Sequence, residues 1–440
     1  MFINSVLRKI QGFCCPIVEH SIVLKGLDSA IFFSICAVIL SSIFAPSDTI
    51  GYFAIIGIFL TILKSFVTKG FEFRYTKFEL CLIVYLAFVL ISVAGSSLFV
   101  LSLKGALKTL IYLGYYVTCV VYLNDHKKDI FKILGLFVFC VGIESLVGLL
   151  QNSSHVSALA GWQDTSNLNP EQVMTRVYGT LKPLNPNLFG GYLLSLLPAA
   201  YGITALFIWK RNYPFVIAGI AYCVLATLVM VMSGCRGVFI AFPLMMIVPA
   251  VVLLKRIKPD WRGFLYKIYT GILGIGLCLI FASTSLRARV LSIFALRGDS
   301  STSFRLNVYQ SAIQMFKDNP FLGIGVGNQN FRETYGLYMR TGYDALSAYN
   351  IYLETAVESG IFALLAFLGF IVFTVKAAFR SICRTANIEK VIILTIALTS
   401  IVGILCHGFV DTVFYRPQLQ FVFWLMVAVI RVFPKAETYV

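Results

Sequence analysis

The chain has 440 residues, of which 59% are hydrophobic and 13% are charged, and its formal net charge is +16. Soluble domains carry roughly 25% charged residues, so this composition excludes a soluble protein and predicts an all-α polytopic membrane protein. The positive charge does not call for a nucleic-acid partner, because cytoplasmic loops of membrane proteins are rich in lysine and arginine. We therefore expect the lipid bilayer, and no nucleic acid, as a partner.

Twelve apolar runs follow one another along the chain. A helix that crosses about 30 Å of hydrocarbon needs about 20 apolar residues, and several of these runs are short for a complete span. The predicted spans are residues 29–45, 50–66, 78–94, 106–123, 130–150, 187–209, 215–232, 237–254, 265–282, 349–373, 388–406 and 412–430.

The distribution of basic residues predicts an orientation. If the N-terminus is cytoplasmic and the spans alternate, most of the 36 lysines and arginines fall in cytoplasmic segments, as the positive-inside rule requires. Both termini are then cytoplasmic. We predict one membrane domain over residues 1–440, without internal repeats or an appended hydrophilic domain, and with two outward loops at 151–186 and 284–348.

The polar stretch 287–360 contains most of the longer loop. A loop of this length is usually functional or disordered. Leu306, Tyr309, Ile313 and Phe316 have the spacing of one face of a helix, so we predict that the loop is folded and contains amphipathic helices.

Three arginines stand at the predicted outer starts of helices: Arg176, Arg236 and Arg305. A guanidinium presents a planar fork of donors that suits phosphate oxygens, and helix N-termini add free N–H groups and a positive dipole end. If the three arginines converge, they form a site for a diphosphate. The alternative is that each one only contacts lipid headgroups.

Two further motifs have both a structural and a functional interpretation. The turn from Gly323 to Gly327 is rich in glycine, which favours a backbone with positive φ; the alternative is a nest of N–H groups for an anion. Asn187 is predicted to cap the sixth span, where Gly190 and Gly191 allow another helix to approach closely.

Five ionisable residues lie in or next to predicted spans: Glu144, Glu354, Glu358, His407 and Asp411. Such groups are costly in lipid and are functional candidates, although pairing with arginine is an equally good explanation. The four histidines lack the spacing of metal ligands, so we expect neither a metal nor another cofactor.

The motifs also carry a resemblance. The run Ser233-Gly-Cys-Arg-Gly237, the pair Phe304-Arg305, and the segments 319–327 and 348–360 occur in an order and spacing that resemble the O-antigen ligase superfamily. The resemblance implies a GT-C-like membrane fold. It also implies metal-independent transfer of a glycan from undecaprenyl diphosphate to an acceptor hydroxyl, on the outer side of the inner membrane. It places Arg236 and Arg305 at the arginines that contact the diphosphate in the family.

The chain departs from this family at one position. The ligases carry a histidine eleven positions before a glycine, and the same count back from Gly360 reaches Tyr349. A phenol titrates near pH 10 and is a hydrogen-bond donor and a poor base at neutral pH, so Tyr349 is predicted to orient the acceptor hydroxyl. Asn350 and His407 are further candidates for substrate binding, and His407 or a glutamate is a candidate for the missing base.

Two functions remain open. The first is a membrane glycosyltransferase for cell-envelope polysaccharide, whose partners are a polyprenyl diphosphate-linked glycan and an acceptor glycolipid or glycan. The second is a small-anion transporter or accessory protein, because the sequence around Tyr349 resembles a branch of the superfamily described as bicarbonate transporters. Transporters favour interrupted helices that meet at the midplane, often with repeat symmetry. The absence of a repeat and the surface position of the arginines favour the transferase.

Overall fold

A computed structural model describes residues 26–68, 75–153, 176–256, 282–294, 300–340 and 344–433, together with the isolated positions 11, 263, 267 and 274. Within these residues the chain is helical and contains no β-strand, which confirms the all-α class. The helices are α1 (Leu27–Ser41), α2 (Ser47–Val67), α3 (Lys77–Gly95), α4 (Phe99–Asp125), α5 (Ile130–Ser153), α6 (Pro186–Trp209), α7 (Tyr213–Met232), α8 (Arg236–Arg256), α9 (Thr284–Leu291), α10 (Ser300–Asp318), α11 (Asn328–Gly336), α12 (Ile351–Arg384), α13 (Ile388–His407) and α14 (Pro417–Arg431).

The described helices account for most of the predicted spans. Nine of them, α2–α8, α12 and α13, are long and apolar enough to cross a membrane, and α1 and α14 are shorter apolar helices. The chain is therefore a multi-pass membrane protein. The predicted span 265–282 lies outside the described residues, apart from positions 267, 274 and 282, as does most of the predicted loop 151–186.

Two helices are longer than their apolar runs. α4 begins at Phe99, seven residues before the predicted start, and α12 continues to Arg384, beyond the predicted end at residue 373. The added turns contain Lys104, Lys376 and Arg380. Lysine and arginine have high helix propensity, so the backbone stays helical where the apolar pattern ends.

The helices α6 and α13 lie at the centre of the bundle. In each of these helices, two-thirds of the residues in the most apolar segment are buried, whereas in α7 fewer than a quarter are buried. In α7, side chains such as Ile217 are exposed, as expected for a helix that faces lipid. α3 packs along α12, and α8 along α13.

The long loop has a small core of its own. α9, α10 and α11 lie within residues 284–348, and α10 covers the predicted amphipathic helix. Val308, Phe331, Tyr335 and Ala348 are buried together in a cluster that also contacts the start of α12. The positions 295–299 and 341–343, among them Arg297, lie outside the described residues.

The glycine-rich turn fills a break in α12. Helical dihedral angles stop at Gly360, where φ is 79° and ψ is 176°. The carbonyls freed by this break accept hydrogen bonds from the turn: Ile324 N donates to Val357 O at 2.9 Å, and Gly325 N donates to Glu358 O at 3.0 Å. Beyond the break, Ile361 N donates to Pro320 O at 2.9 Å.

The other N–H groups of the turn are also bonded. Gly323 N donates to Asn319 O, Val326 N donates to Ser102 Oγ at 2.9 Å, and Gly327 N donates to Glu358 Oε1 at 2.8 Å. The interpretation as an anion nest is therefore wrong, because these donors serve the fold. The alternative is confirmed: Gly323, Gly325 and Gly327 have φ of 70°, 101° and 115°, which favours glycine.

Candidate functional site

The candidate residues meet at one end of the bundle. The starts of α6, α8 and α12 lie there, together with the turn between α13 and α14. Backbone hydrogen bonds join these elements: Val177 N donates to Met232 O at 3.3 Å, and Ile351 N donates to Gly408 O at 2.9 Å. Residues that are distant in sequence are thereby placed side by side.

The start of α6 differs from the prediction. Asn185, not Asn187, is the N-cap: its Oδ1 accepts from Asn187 N at 2.7 Å and from Leu188 N at 3.4 Å. Pro186 then occupies the first helical position, where a missing N–H costs nothing. The side chain of Asn187 is consequently free of the capping role and belongs to the site.

Arg176 is a buried cation held by neutral groups. Its side chain is 6% exposed; Nε donates to Ser233 O at 2.8 Å, and Nη2 donates to Asn187 Oδ1 at 2.5 Å. Burial lowers the pKa of the Arg176 guanidinium, and the charges of Arg236 and Arg305 lower it further against the opposing charge of Asp411. Arg176 is thus within electrostatic range of both other predicted arginines.

Asp411 is the acid of the site. Its Oδ2 accepts from Arg305 Nη2 at 3.2 Å and from Asn187 Nδ2 at 3.0 Å. Its Oδ1 accepts from the backbone N–H groups of Thr412 and Val413, at 2.8 Å and 3.3 Å. Pairing with arginine is one explanation for the ionisable residues in or next to the predicted spans, and Asp411 forms such a pair with Arg305.

Arg236 contacts α10, the helix that carries Arg305. Its Nη1 lies 3.3 Å from Thr302 Oγ1 and 3.4 Å from Ser292 Oγ. Thr302 precedes Arg305 by three residues on α10, about one helical turn. Nearby, Arg289 Nε donates to Gly234 O at 2.9 Å. The helix α9 therefore contacts the residues just before α8 through Arg289, and α10 contacts Arg236 at the start of α8.

Tyr349 contacts this cluster through its ring. The guanidinium of Arg305 lies 5.6 Å from the ring centroid, within cation–π distance, and Phe304 packs edge-on at 5.7 Å. Burial raises the pKa of the Tyr349 phenol and Asp411 raises it further, while Arg305 has the opposite effect. The neighbouring arginine therefore does not produce a phenolate, and Tyr349 is a donor at neutral pH.

Asn350 and His407 have structural contacts. Asn350 caps α12, since its Oδ1 accepts from Tyr352 N and Leu353 N, and its Nδ2 donates to Phe409 O. His407 is buried at the end of α13, with Nε2 3.4 Å from Cys235 Sγ and with no hydrogen bond to Nδ1 from the described residues. Their roles in substrate binding stay predictions.

Three buried glutamates hold the backbone. Glu354 Oε2 accepts from Ala348 N at 3.1 Å, Glu358 accepts from Gly327 N, and Glu144 Oε2 accepts from Thr180 N at 3.0 Å. Together Glu354 and Glu358 bond to both sides of the segment that leads to Tyr349. Among the described residues, no three His, Cys, Asp or Glu side chains are grouped as metal ligands, and the expectation of a metal-free site stays a prediction.

These features define a class: an all-α, multi-pass membrane protein with a cluster of arginines at one end of its bundle. Residues 221–368 match the family model described as O-Antigen ligase. This match supports the O-antigen ligase superfamily. The matched segment covers roughly a third of the chain and includes Arg236, Arg305 and Tyr349. No curated protein matches the chain.

Proposed function

We propose that the chain is a membrane glycosyltransferase. It transfers a glycan from a polyprenyl diphosphate donor to an acceptor hydroxyl on the outer face of the inner membrane. The observation that carries this proposal is the buried Arg176, which is linked through Asn187 and Asp411 to Arg305 and lies within electrostatic range of Arg236. These residues lie at one end of a bundle whose residues 221–368 match the O-antigen ligase family model. An anion at this end of the bundle would neutralise charges that are costly to bury alone.

The contacts of the arginines suit a diphosphate. A guanidinium has five N–H donors, and Arg176 uses its described bonds on a backbone carbonyl and an amide oxygen. Among the described residues, the guanidinium of Arg305 makes one hydrogen bond, of 3.2 Å to Asp411, and Arg305 is more exposed than that acid. Both arginines therefore retain donors for phosphate oxygens.

The proposed reaction requires stabilisation of the leaving group. The acceptor oxygen forms the new bond to the anomeric carbon, the bond from that carbon to the phosphate oxygen breaks, and the polyprenyl diphosphate departs with the electron pair. Arginines fixed around the diphosphate stabilise this charge before the reaction begins. The phenol of Tyr349 positions the acceptor hydroxyl, whose proton passes to another group or to water.

The transporter hypothesis receives less support. An interrupted transporter helix offers free backbone groups to its substrate. In α12, the groups around the break at Gly360 are bonded to residues 320–325 of the same chain. This use of the break by the fold supports the transferase.

A transfer assay with purified protein and a polyprenyl diphosphate-linked glycan tests the proposal. Loss of one preorganised donor to a developing anion costs about 10²–10³ in rate, so Arg236→Ala and Arg305→Ala should each lower transfer by about this factor. Arg332→Ala is the matched control, because Arg332 lies in the same loop in an exposed ion pair with Asp344. Equal activity in all three variants, or no transfer by a wild-type protein that binds the donor, contradicts the proposal.

A further inference from the structure

Asn187 separates two opposite charges. Its Oδ1 accepts from Arg176 Nη2 at 2.5 Å, and its Nδ2 donates to Asp411 Oδ2 at 3.0 Å. A carboxamide has one accepting and one donating end, so these two contacts fix the orientation of its side chain. Arg176 and Asp411 are thus linked by hydrogen bonds to a neutral amide rather than by a direct ion pair.

A direct pair would have a different effect on Arg176. Arginine and carboxylate form strong, often bidentate hydrogen bonds, which would occupy the N–H donors that a phosphate needs. With the amide in between, Arg176 keeps the electrostatic benefit of Asp411 while its remaining donors are not taken by a carboxylate of the described residues.

Asp411 is bonded well enough to stay in place when Arg305 moves. Its Oδ1 accepts from two backbone N–H groups, and its Oδ2 accepts from Asn187 as well as from Arg305. Of this ion pair, Arg305 is the more exposed side chain, at 18% against 8%. Arg305 can therefore exchange Asp411 for an incoming anion without leaving the carboxylate unbonded.

We propose that Asn187 is a positioning residue that keeps Arg176 from pairing with Asp411, so that the buried guanidinium stays available to the diphosphate of the donor. This inference rests on the proposed function for the identity of the ligand. It assigns Asn187 a part in ligand affinity, separate from the helix cap formed by Asn185.

The test compares Asn187→Asp with Asn185→Asp in the full chain. Both substitutions add one negative charge at the start of α6, but only residue 187 contacts Arg176. The probe is a fluorescent short-chain polyprenyl diphosphate, displaced by inorganic pyrophosphate. We expect Asn187→Asp to weaken binding by about tenfold or more, which is about 1.4 kcal/mol. Asn185→Asp, which still caps the helix, should change affinity by less than about twofold.

One further measurement separates positioning from a merely structural role. In the transfer assay of Asn187→Asp, KM should rise more than kcat falls.

Each outcome decides between the alternatives. Wild-type affinity in Asn187→Asp overturns the role of Asn187. An equal loss of affinity in Asn185→Asp also overturns it, because net charge alone would then account for binding. Selective loss of binding in Asn187→Asp without any wild-type glycan transfer supports the role of Asn187 and overturns the proposed function. Absence of binding by the wild-type protein overturns both.

Discussion

At the scale of single residues, Tyr349 is held in an unfavourable backbone conformation. Its φ is 51°, and a left-handed conformation costs a residue with a side chain roughly 1–2 kcal/mol. Three contacts maintain it: Tyr309 OH donates to Tyr349 O at 3.1 Å, Glu354 binds Ala348 N, and Asn350 caps the next helix. In this conformation the ring centroid lies 5.6 Å from the guanidinium of Arg305, which agrees with a positioning role.

Replacement of Tyr349 distinguishes a donor from a base. Tyr349→Phe removes one hydrogen bond, worth about 0.5–1.5 kcal/mol, so transfer should fall roughly two- to tenfold. Because the raised pKa keeps the phenol protonated below about pH 10, the pH–rate profiles of wild type and Tyr349→Phe should be parallel from about pH 6 to about pH 9.

Tyr349→His provides the comparison. Imidazole titrates near pH 6.5, so this variant should keep or exceed wild-type transfer and gain activity as the pH rises through about 6.5. The measurement is the initial rate of transfer in buffers of constant ionic strength. Identical rates for wild type and Tyr349→Phe would show that Tyr349 is an ordinary aromatic residue at the membrane boundary.

The start of α6 shows what local sequence signals reach and what they miss. Two asparagines flank Pro186, and proline is common at the first helical position, which points to Asn185 as the cap. The prediction of Asn187 overlooked this signal. The bridge from Asn187 to Asp411 was not predictable, because it joins residues more than 200 positions apart and no local pattern records that contact.

At the scale of elements, α12 depends on the glycine at its break. A Cβ at position 360 would collide with the carbonyl of Phe321, and the backbone there lies in a region that is essentially restricted to glycine, at a cost of order 1–3 kcal/mol for other residues. The glycine-rich turn and the helix break are thus parts of one joint.

Gly360→Ala should therefore loosen this joint. We expect a lower Tm and faster hydrogen exchange at the amides of Ile324 and Gly325, which donate to the carbonyls before the break. Gly135→Ala is the control, since a Cβ at that position of α5 meets nothing within 4 Å. It should leave exchange unchanged and stabilise the helix by about 0.5–1 kcal/mol. Equal exchange in both variants would contradict the role of Gly360.

The apolar pattern predicted the existence of the described helices better than their ends. A run of apolar residues marks the part of a helix that can lie in lipid. The helices α4 and α12 continue beyond that part, through lysine and arginine. The positive φ of the glycine turn was predicted from composition. Its partner was not, since docking into the break at Gly360 depends on the tertiary fold.

At the scale of the whole molecule, the predicted orientation remains to be tested. It places the loop 284–348 outside and the far end of α12 in the cytoplasm. Leu337 is 85% exposed after α11, and Cys383 is exposed at the other end of α12. The two positions therefore report on opposite sides of the membrane.

Labelling with a membrane-impermeant maleimide checks this orientation. In intact cells, Leu337→Cys in a Cys383→Ser background should be labelled, because residue 337 faces outward. Native Cys383 should react only after permeabilisation, and the modified peptides are identified by mass spectrometry. Labelling of Cys383 in intact cells would reverse the orientation and place the proposed transfer on the wrong side.

The joint at Gly360 also determines which segment of this chain can be exchanged with that of another protein in a chimaera. Residues 320–325 complete the hydrogen bonding of the broken helix. A graft that exchanges only the residues before Tyr349 would therefore place the turn of one protein against the helix break of another. A graft that carries residues 319–361 as a single cassette keeps both halves of the joint. The segment around Tyr349 can then be exchanged without separating the turn from the helix break that it fills.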